Sequence, residues 1–137
     1  MEQELYQEAL QITDSAIQAV KPDAAVKRAL SEMPHSGRIF LVAAGKAAWQ
    51  MADAAVKTLG QMEDGVVVTK YGHVKAEIPG VRCYEAGHPV PDANSFAATE
   101  KALELVHGLH PEDTVLFLLS GGGSALFEKP LISGEEL

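Results

Sequence analysis

The feature that most constrains this chain is a repeated pairing. An apolar run of strand length is followed at once by a polar or glycine-bearing turn. Arg38-Ile39-Phe40-Leu41-Val42-Ala43 leads into Ala44-Gly45-Lys46, and Gly65-Val66-Val67-Val68-Thr69 into Lys70-Tyr71-Gly72-His73. Thr114-Val115-Leu116-Phe117-Leu118-Leu119 leads into Ser120-Gly121-Gly122-Gly123-Ser124, and a further strand, Val81 to Ala86, which is not wholly apolar, leads into Gly87-His88-Pro89. A continuous apolar run suits a strand covered on both faces rather than one half in water.

The intervening segments have helical spacing. Leu5, Ala9, Ile12, Ala16 and Val20 fall on one helix face, which Lys21-Pro22 ends; Pro22 suits the first turn of a second helix to about Leu30. Ser31 to Gly37 reads as a loop. Ala47 to Leu59, with Trp49 and Met51 as core residues, predicts a helix closed by Gly60. Gly87 to Asp92 holds Pro89 and Pro91 and is irregular. Asp92 is better placed as a helix cap than as a base or metal ligand. The helix it starts is predicted to reach about Leu109, with Phe96, Leu103, Val106 and Leu109 on its buried side. Pro111-Glu112-Asp113 turns the chain into the last strand. Buried strands alternating with helices predict an α/β domain: a mostly parallel sheet with helices on both faces.

Composition narrows the function. With 137 residues and 47% hydrophobic content, the chain is one globular domain's worth. A net charge of −8 argues against a general nucleic-acid partner, which needs a basic face. A local cluster of amides and lysines can still hold a small anion. Cys83 is the sole cysteine, so neither an internal disulfide nor a multi-cysteine metal site forms. The longest wholly apolar run, Ile39 to Ala44, is far short of the ~20 residues of a membrane helix. The acidic start, Met1-Glu2-Gln3-Glu4, is unlike a signal peptide. The expectation is a cytoplasmic protein without a membrane partner.

In open parallel sheets, ligands bind at the carboxyl ends of the strands. All four polar turns belong there, so they are expected to converge on one rim. Three consecutive glycines at Gly121, Gly122 and Gly123 let the backbone lie against an anion with its amides turned inward; a plain tight turn is the alternative. The flanking Ser120 and Ser124 can add hydroxyl bonds. This is not a P-loop, and it fails the dinucleotide fingerprint, because Leu126 stands where a third glycine or alanine is required. Gly45 and Lys46 lie between a buried strand and a helix N-terminus, where a cation makes sense if a negative group must sit there. Lys70 and His73 repeat the theme at the next strand. For His73 and His88 a bond to a loop carbonyl is an equally good reading. His35, His107 and His110 carry no motif, and no metal site has usable spacing.

Taken in order, Val42 to Ala48, Thr69 to His73, Glu85 to Asp92 and Leu119 to Leu126 resemble the N-terminal region of the glycerate 2-kinase family of the MOFRL type, some members of which carry hydroxypyruvate reductase labels. The likeness runs from about Ala9 to the C-terminus. It implies a Rossmann-like domain facing a second domain across a cleft. It also implies transfer of the ATP γ-phosphoryl group to the 2-hydroxyl of D-glycerate, with Mg²⁺. By resemblance Lys46 is catalytic, working with an arginine from a later part of the chain. Gly45, Lys70, His73, His88 and Ser120 to Ser124 belong to the substrate or nucleotide cradle.

Family members are much longer. Ser133-Gly134-Glu135-Glu136 also matches a capping box that announces a helix just before Leu137. Residues 1–137 are therefore expected to be the N-terminal part of such a domain, inactive alone. An uncovered sheet edge or apolar face is expected to favour a homodimer. The competing readings are a nicotinamide-dependent hydroxypyruvate reductase and a non-catalytic sugar-phosphate or nucleotide-binding module.

Overall fold

The computed structural model describes all 137 residues. Nine elements follow one another: α1 (Glu2–Ala19), α2 (Pro22–Ser31), β1 (Ile39–Ala44), α3 (Ala48–Leu59), β2 (Asp64–Lys70), β3 (Arg82–Ala86), α4 (Ala93–Leu105), β4 (Thr114–Leu119) and α5 (Gly123–Leu126). The four strands form one sheet in the order β3-β2-β1-β4, with every pairing parallel. The chain thus adds strands outward from β1 on one side, then crosses back to place β4 on the other.

Both faces of the sheet are covered, and strand alternation decides which residues serve which face. Ile39, Leu41, Ala43 and Val67 pack with α2 and α3. Phe40, Val42, Val66 and Val68 pack with α4 and Leu126 of α5. On α3 the contact residues Ala48, Ala52 and Ala55 are fully buried; small side chains let the helix lie close to the sheet. The central strand β1 is buried along its whole length. The predicted α/β class, with a parallel sheet between helices, is therefore the fold. No helix is long and apolar enough to cross a membrane.

Three expectations change. α4 ends at Leu105, and its buried side runs through Ser95, Ala98, Thr99, Ala102 and Leu105. Of the expected residues, Val106 and Leu109 do pack against this core, whereas Leu103 faces outward, because close seating on the sheet favours the small-residue stripe. β4 is covered on one face only: Leu116 and Leu118 pack toward α3, whereas Val115, Phe117 and Leu119 are exposed. α1 is a helix, yet none of its residues is buried, so its apolar face has no partner in this chain. At the other terminus, Glu136 reaches back to the Ser133 amide and hydroxyl, at 3.2 and 2.7 Å. This forms a single turn with half of the predicted capping box.

Candidate active site

Register sets the site. Ala44 of β1 lies level with Val68 of β2 and with Leu119 of β4. The turns that follow therefore leave the sheet at one height and on one rim. β1 and β4 are neighbours whose following helices depart to opposite faces, α3 to one and α5 to the other. That is the switch point of a doubly wound sheet, where a crevice opens between diverging connections.

Across this crevice the two turns are bonded to each other. The Lys46 amide donates to the Gly121 carbonyl at 2.9 Å, and the Ala47 amide to Ser120 Oγ at 3.0 Å. Ser120 Oγ also lies 3.4 Å from the Ala44 carbonyl, to which it can donate. Gly45 makes the crossing possible. Its φ is +120°, and a Cβ there would stand 2.3 Å from Ser120 Oγ.

This bonding divides the labour. The amides of Gly45, Lys46, Ala47 and Ala48 all donate within the protein, to Val68, Gly121, Ser120 and Gly45. The β1 turn therefore offers an anion the Lys46 side chain rather than its amides. Gly121 and Gly122 are the converse: their amides donate to no protein acceptor. The Lys46 stem runs along them, with Cε 3.8 Å from where a Cβ on Gly121 would be and Cγ 3.3 Å from the equivalent point on Gly122. Lysine and triple-glycine turn share one rim, as expected.

Both histidines join the group. The His88 ring lies over Gly122; a Cβ there would stand 2.7 Å from His88 Nε2. His73 Nδ1 lies 2.9 Å from the Lys46 main-chain oxygen. A carbonyl only accepts, so Nδ1 carries the proton in that bond. A cleft of about 400 Å³ is lined by Lys46, Ala47, Trp49, Gln50, Gly72, His73 and Lys75. A larger hollow of about 970 Å³ lies under the Val74 to Val81 loop, away from the glycine turn.

Not every predicted residue meets there. Lys70 sits at the end of β2, level with Ala86, and its side chain makes no bond to the Lys46 group. Ser124 is exposed on α5 and bonds to none of these residues. Asp92 is the cap it was read to be: its carboxylate accepts from the Ser95 amide at 3.1 Å, and Ser95 Oγ accepts from the Asp92 amide at 3.1 Å. Burial pushes the Asp92 carboxyl up, but bonds from Tyr71, Gly87 and Ser95 outweigh it and hold it below the usual range. Sequence reasoning gave no role to Tyr71, whose hydroxyl donates to Asp92 Oδ2 at 2.7 Å, or to Glu85, which accepts from the Gly72 amide. The available signal was their position: polar side chains in or beside turns at adjacent strand ends.

With this geometry in hand, the likeness to known proteins is informative. The family described as a domain of unknown function, DUF4147, matches residues 8–137. The chain belongs to the DUF4147 family. Its relatives include the D-glycerate 2-kinase of Thermotoga maritima, 54% identical over 132 residues, covering 94% of this chain and 31% of that protein. A crystal structure of a Thermotoga maritima glycerate kinase superposes with a TM-score of 0.92 at 53% identity, covering 98% of this chain and 33% of that one. A protein of Agrobacterium vitis with a provisional hydroxypyruvate reductase name is 43% identical over 122 residues, covering 87% of this chain and 27% of that protein. This DUF4147 chain thus spans about a third of the length of such relatives. The resemblance read from the four motifs holds over nearly its whole length.

Proposed function

We propose that residues 1–137 are the N-terminal part of the first domain of an ATP-dependent D-glycerate 2-kinase working in the cytoplasm, and that the β1–β4 rim supports phosphoryl transfer. The observation that carries this reading is the Lys46 stem lying along Gly121 and Gly122, whose amides have no protein acceptor. In the reaction the 2-hydroxyl oxygen of glycerate bonds the γ-phosphorus of ATP and releases its proton to solvent, the bond to the β,γ-bridging oxygen breaks, and ADP leaves. Charge spreads over the transferring oxygens, so the protein's work is positioning and electrostatic stabilisation. The Lys46 ammonium and the Gly121 and Gly122 amides are donors of the required kind, held in place before the reaction by the bonds between the two turns.

The cradle fits a phosphate group, but residues 1–137 form no all-protein metal cage. No three His, Cys, Asp or Glu side chains lie together. Mg²⁺ would enter as the ion that accompanies ATP.

The test is turnover of ATP and D-glycerate by the longer protein that contains this chain. Lys46→Met should lower the rate by on the order of 10²–10³, as loss of one preorganised donor does. Near-normal turnover would refute the role of Lys46. Residues 1–137 alone should show no turnover. NADH oxidation with hydroxypyruvate would favour the reductase instead. Against it, Leu126 stands, fully buried in the core, where the dinucleotide fingerprint needs a glycine or alanine for close helix–strand packing. Binding of ATP or sugar phosphates without turnover in the longer protein would favour a non-catalytic module.

A further inference from the structure

Beside the anion-facing groups lies a second set of bonds that the proposed reaction does not use. Tyr71 sits in the turn after β2 and belongs to neither core cluster, and its side chain is half exposed. Its hydroxyl is nevertheless held twice. It donates to Asp92 Oδ2 and accepts from Asn94 Nδ2, both at 2.7 Å. One residue along, the Gly72 amide donates to the Glu85 carboxylate on β3. The Tyr71 link runs from the β2 turn to the segment between β3 and α4, which carries His88, and the Gly72 link ties the same turn to the end of β3 just ahead of that segment. Asp92 fixes the far end of that segment as the α4 cap, and its carboxylate also lies against Gly87 at the near end. The same β2 turn delivers His73 onto the Lys46 carbonyl.

We propose that Tyr71 is a positioning residue: through Asp92, its hydroxyl holds the His73 turn and the His88 loop in register on either side of Lys46. The inference rests on reading the Lys46 rim as the phosphoryl-transfer centre. Without the hydroxyl, the turn and the loop keep their own backbone bonds but lose the side-chain link that sets their spacing. A misplacement of about 1 Å in such a centre costs roughly a hundredfold in rate. An exposed tyrosine bonded at its tip contributes little to the cores, so Tyr71→Phe should fold.

The experiment uses the longer protein carrying Tyr71→Phe, Asp92→Asn and Asp92→Ala. Tyr71→Phe should lower kcat by about ten- to a hundredfold, leave KM for both substrates within about threefold, and barely move Tm. Asp92→Asn keeps an oxygen to accept from Tyr71 and should retain more kcat than Asp92→Ala at equal folded content. The nitrogen resonances of the imidazoles supply a readout independent of activity: those of His73 and His88 should both shift in Tyr71→Phe. Unchanged histidine resonances overturn the proposal whatever the kinetics, as does a loss of rate that only tracks loss of folded protein. If the wild-type protein turns over no ATP with glycerate, the reaction assignment fails and the histidine resonances alone decide whether Tyr71 sets the spacing.

Discussion

Lys46 donates its main-chain N–H to the Gly121 carbonyl across 2.9 Å, tying the turn after β1 to the turn after β4 at the point where the chain reverses its direction of growth across the sheet. The bond gives the rim its rigidity. It also occupies the Lys46 amide, while the Gly121 and Gly122 amides donate to no protein acceptor. A site built this way depends on how closely two backbones approach.

Gly45 is where that approach is tightest. With φ at +120° and a Cβ only 2.3 Å from Ser120 Oγ and 2.5 Å from the Ser120 carbonyl, alanine meets backbone as well as side chain. Gly45→Ala should destabilise by about 3 kcal/mol or more in denaturant unfolding, from strain and overpacking together. Gly60→Ala is the control. There φ is +81° with nothing within 4 Å, so only the conformational penalty of about 1–2 kcal/mol applies. Equal losses at the two positions would show that the close approach is not what demands glycine at 45.

Ser120 and Ser124 flank the same glycines but differ in kind. Ser120→Ala leaves the part-buried Ala47 amide without its acceptor and should cost about 1–3 kcal/mol. Ser124 is exposed, and Ser124→Ala should stay within about 0.5 kcal/mol. Urea midpoints of the two variants measured side by side check this. A stability loss at Ser124 matching that at Ser120 would contradict the division between a tying serine and a free one.

Much of this was legible in the chain before any coordinates. The strand runs are read off directly because a buried parallel strand is apolar at consecutive positions, as Ile39 to Ala44 is, and the turns are marked by residues that no strand tolerates. The Asp92 cap is equally local. What the sequence hides is contact between distant segments. Nothing in Leu103 announces that α4 turns its small residues inward, since that depends on how close the helix lies to β2 and β3. Ser120 looks like a ligand hydroxyl until Ala47 is found 73 residues away along the chain and 3.0 Å away in space. Tyr71 carries no motif of its own and gains a role only from Asp92 and Asn94 across the rim. Lys70 and Ser124 have the right residue types near the right strand ends, but Lys70 closes β2, Ser124 lies on α5, and their side chains make no bond to the Lys46 group.

At the opposite rim, Arg38 grips Asp113 through two bonds, Nε to Oδ1 at 2.9 Å and Nη2 to Oδ2 at 2.6 Å, aligning the starts of β1 and β4. The Arg38 bond holds the Asp113 carboxyl down to about 2, below its ordinary value of 3.8. Because the folded value is the lower one, the stabilisation is present above pH 3.8 and is lost as pH falls through about 2. In an acid titration followed by far-ultraviolet circular dichroism, the wild type should lose stability more steeply in that window than Asp113→Asn. Parallel acid limbs for the two proteins would mean that the pair does not couple folding to protons.

β4 leaves one side of the sheet open. It is an edge strand with unpaired backbone groups along one side, and on the α4 side of the sheet Val115, Phe117 and Leu119 are 41, 50 and 61% exposed. Phe127 covers only part of this stripe, its ring centroid 5.8 Å from that of Phe117. An open edge beside an apolar stripe is a template for another strand. Residues 1–137 on their own should therefore self-associate, with a sedimentation coefficient that rises with concentration. Phe117→Lys should reduce the association by placing a charge in the middle of the stripe, whereas a lysine at exposed Ile12 on α1 should not. If the Ile12 variant dissociates the protein and the Phe117 variant does not, the uncovered face of α1 rather than the β4 edge is the sticky surface.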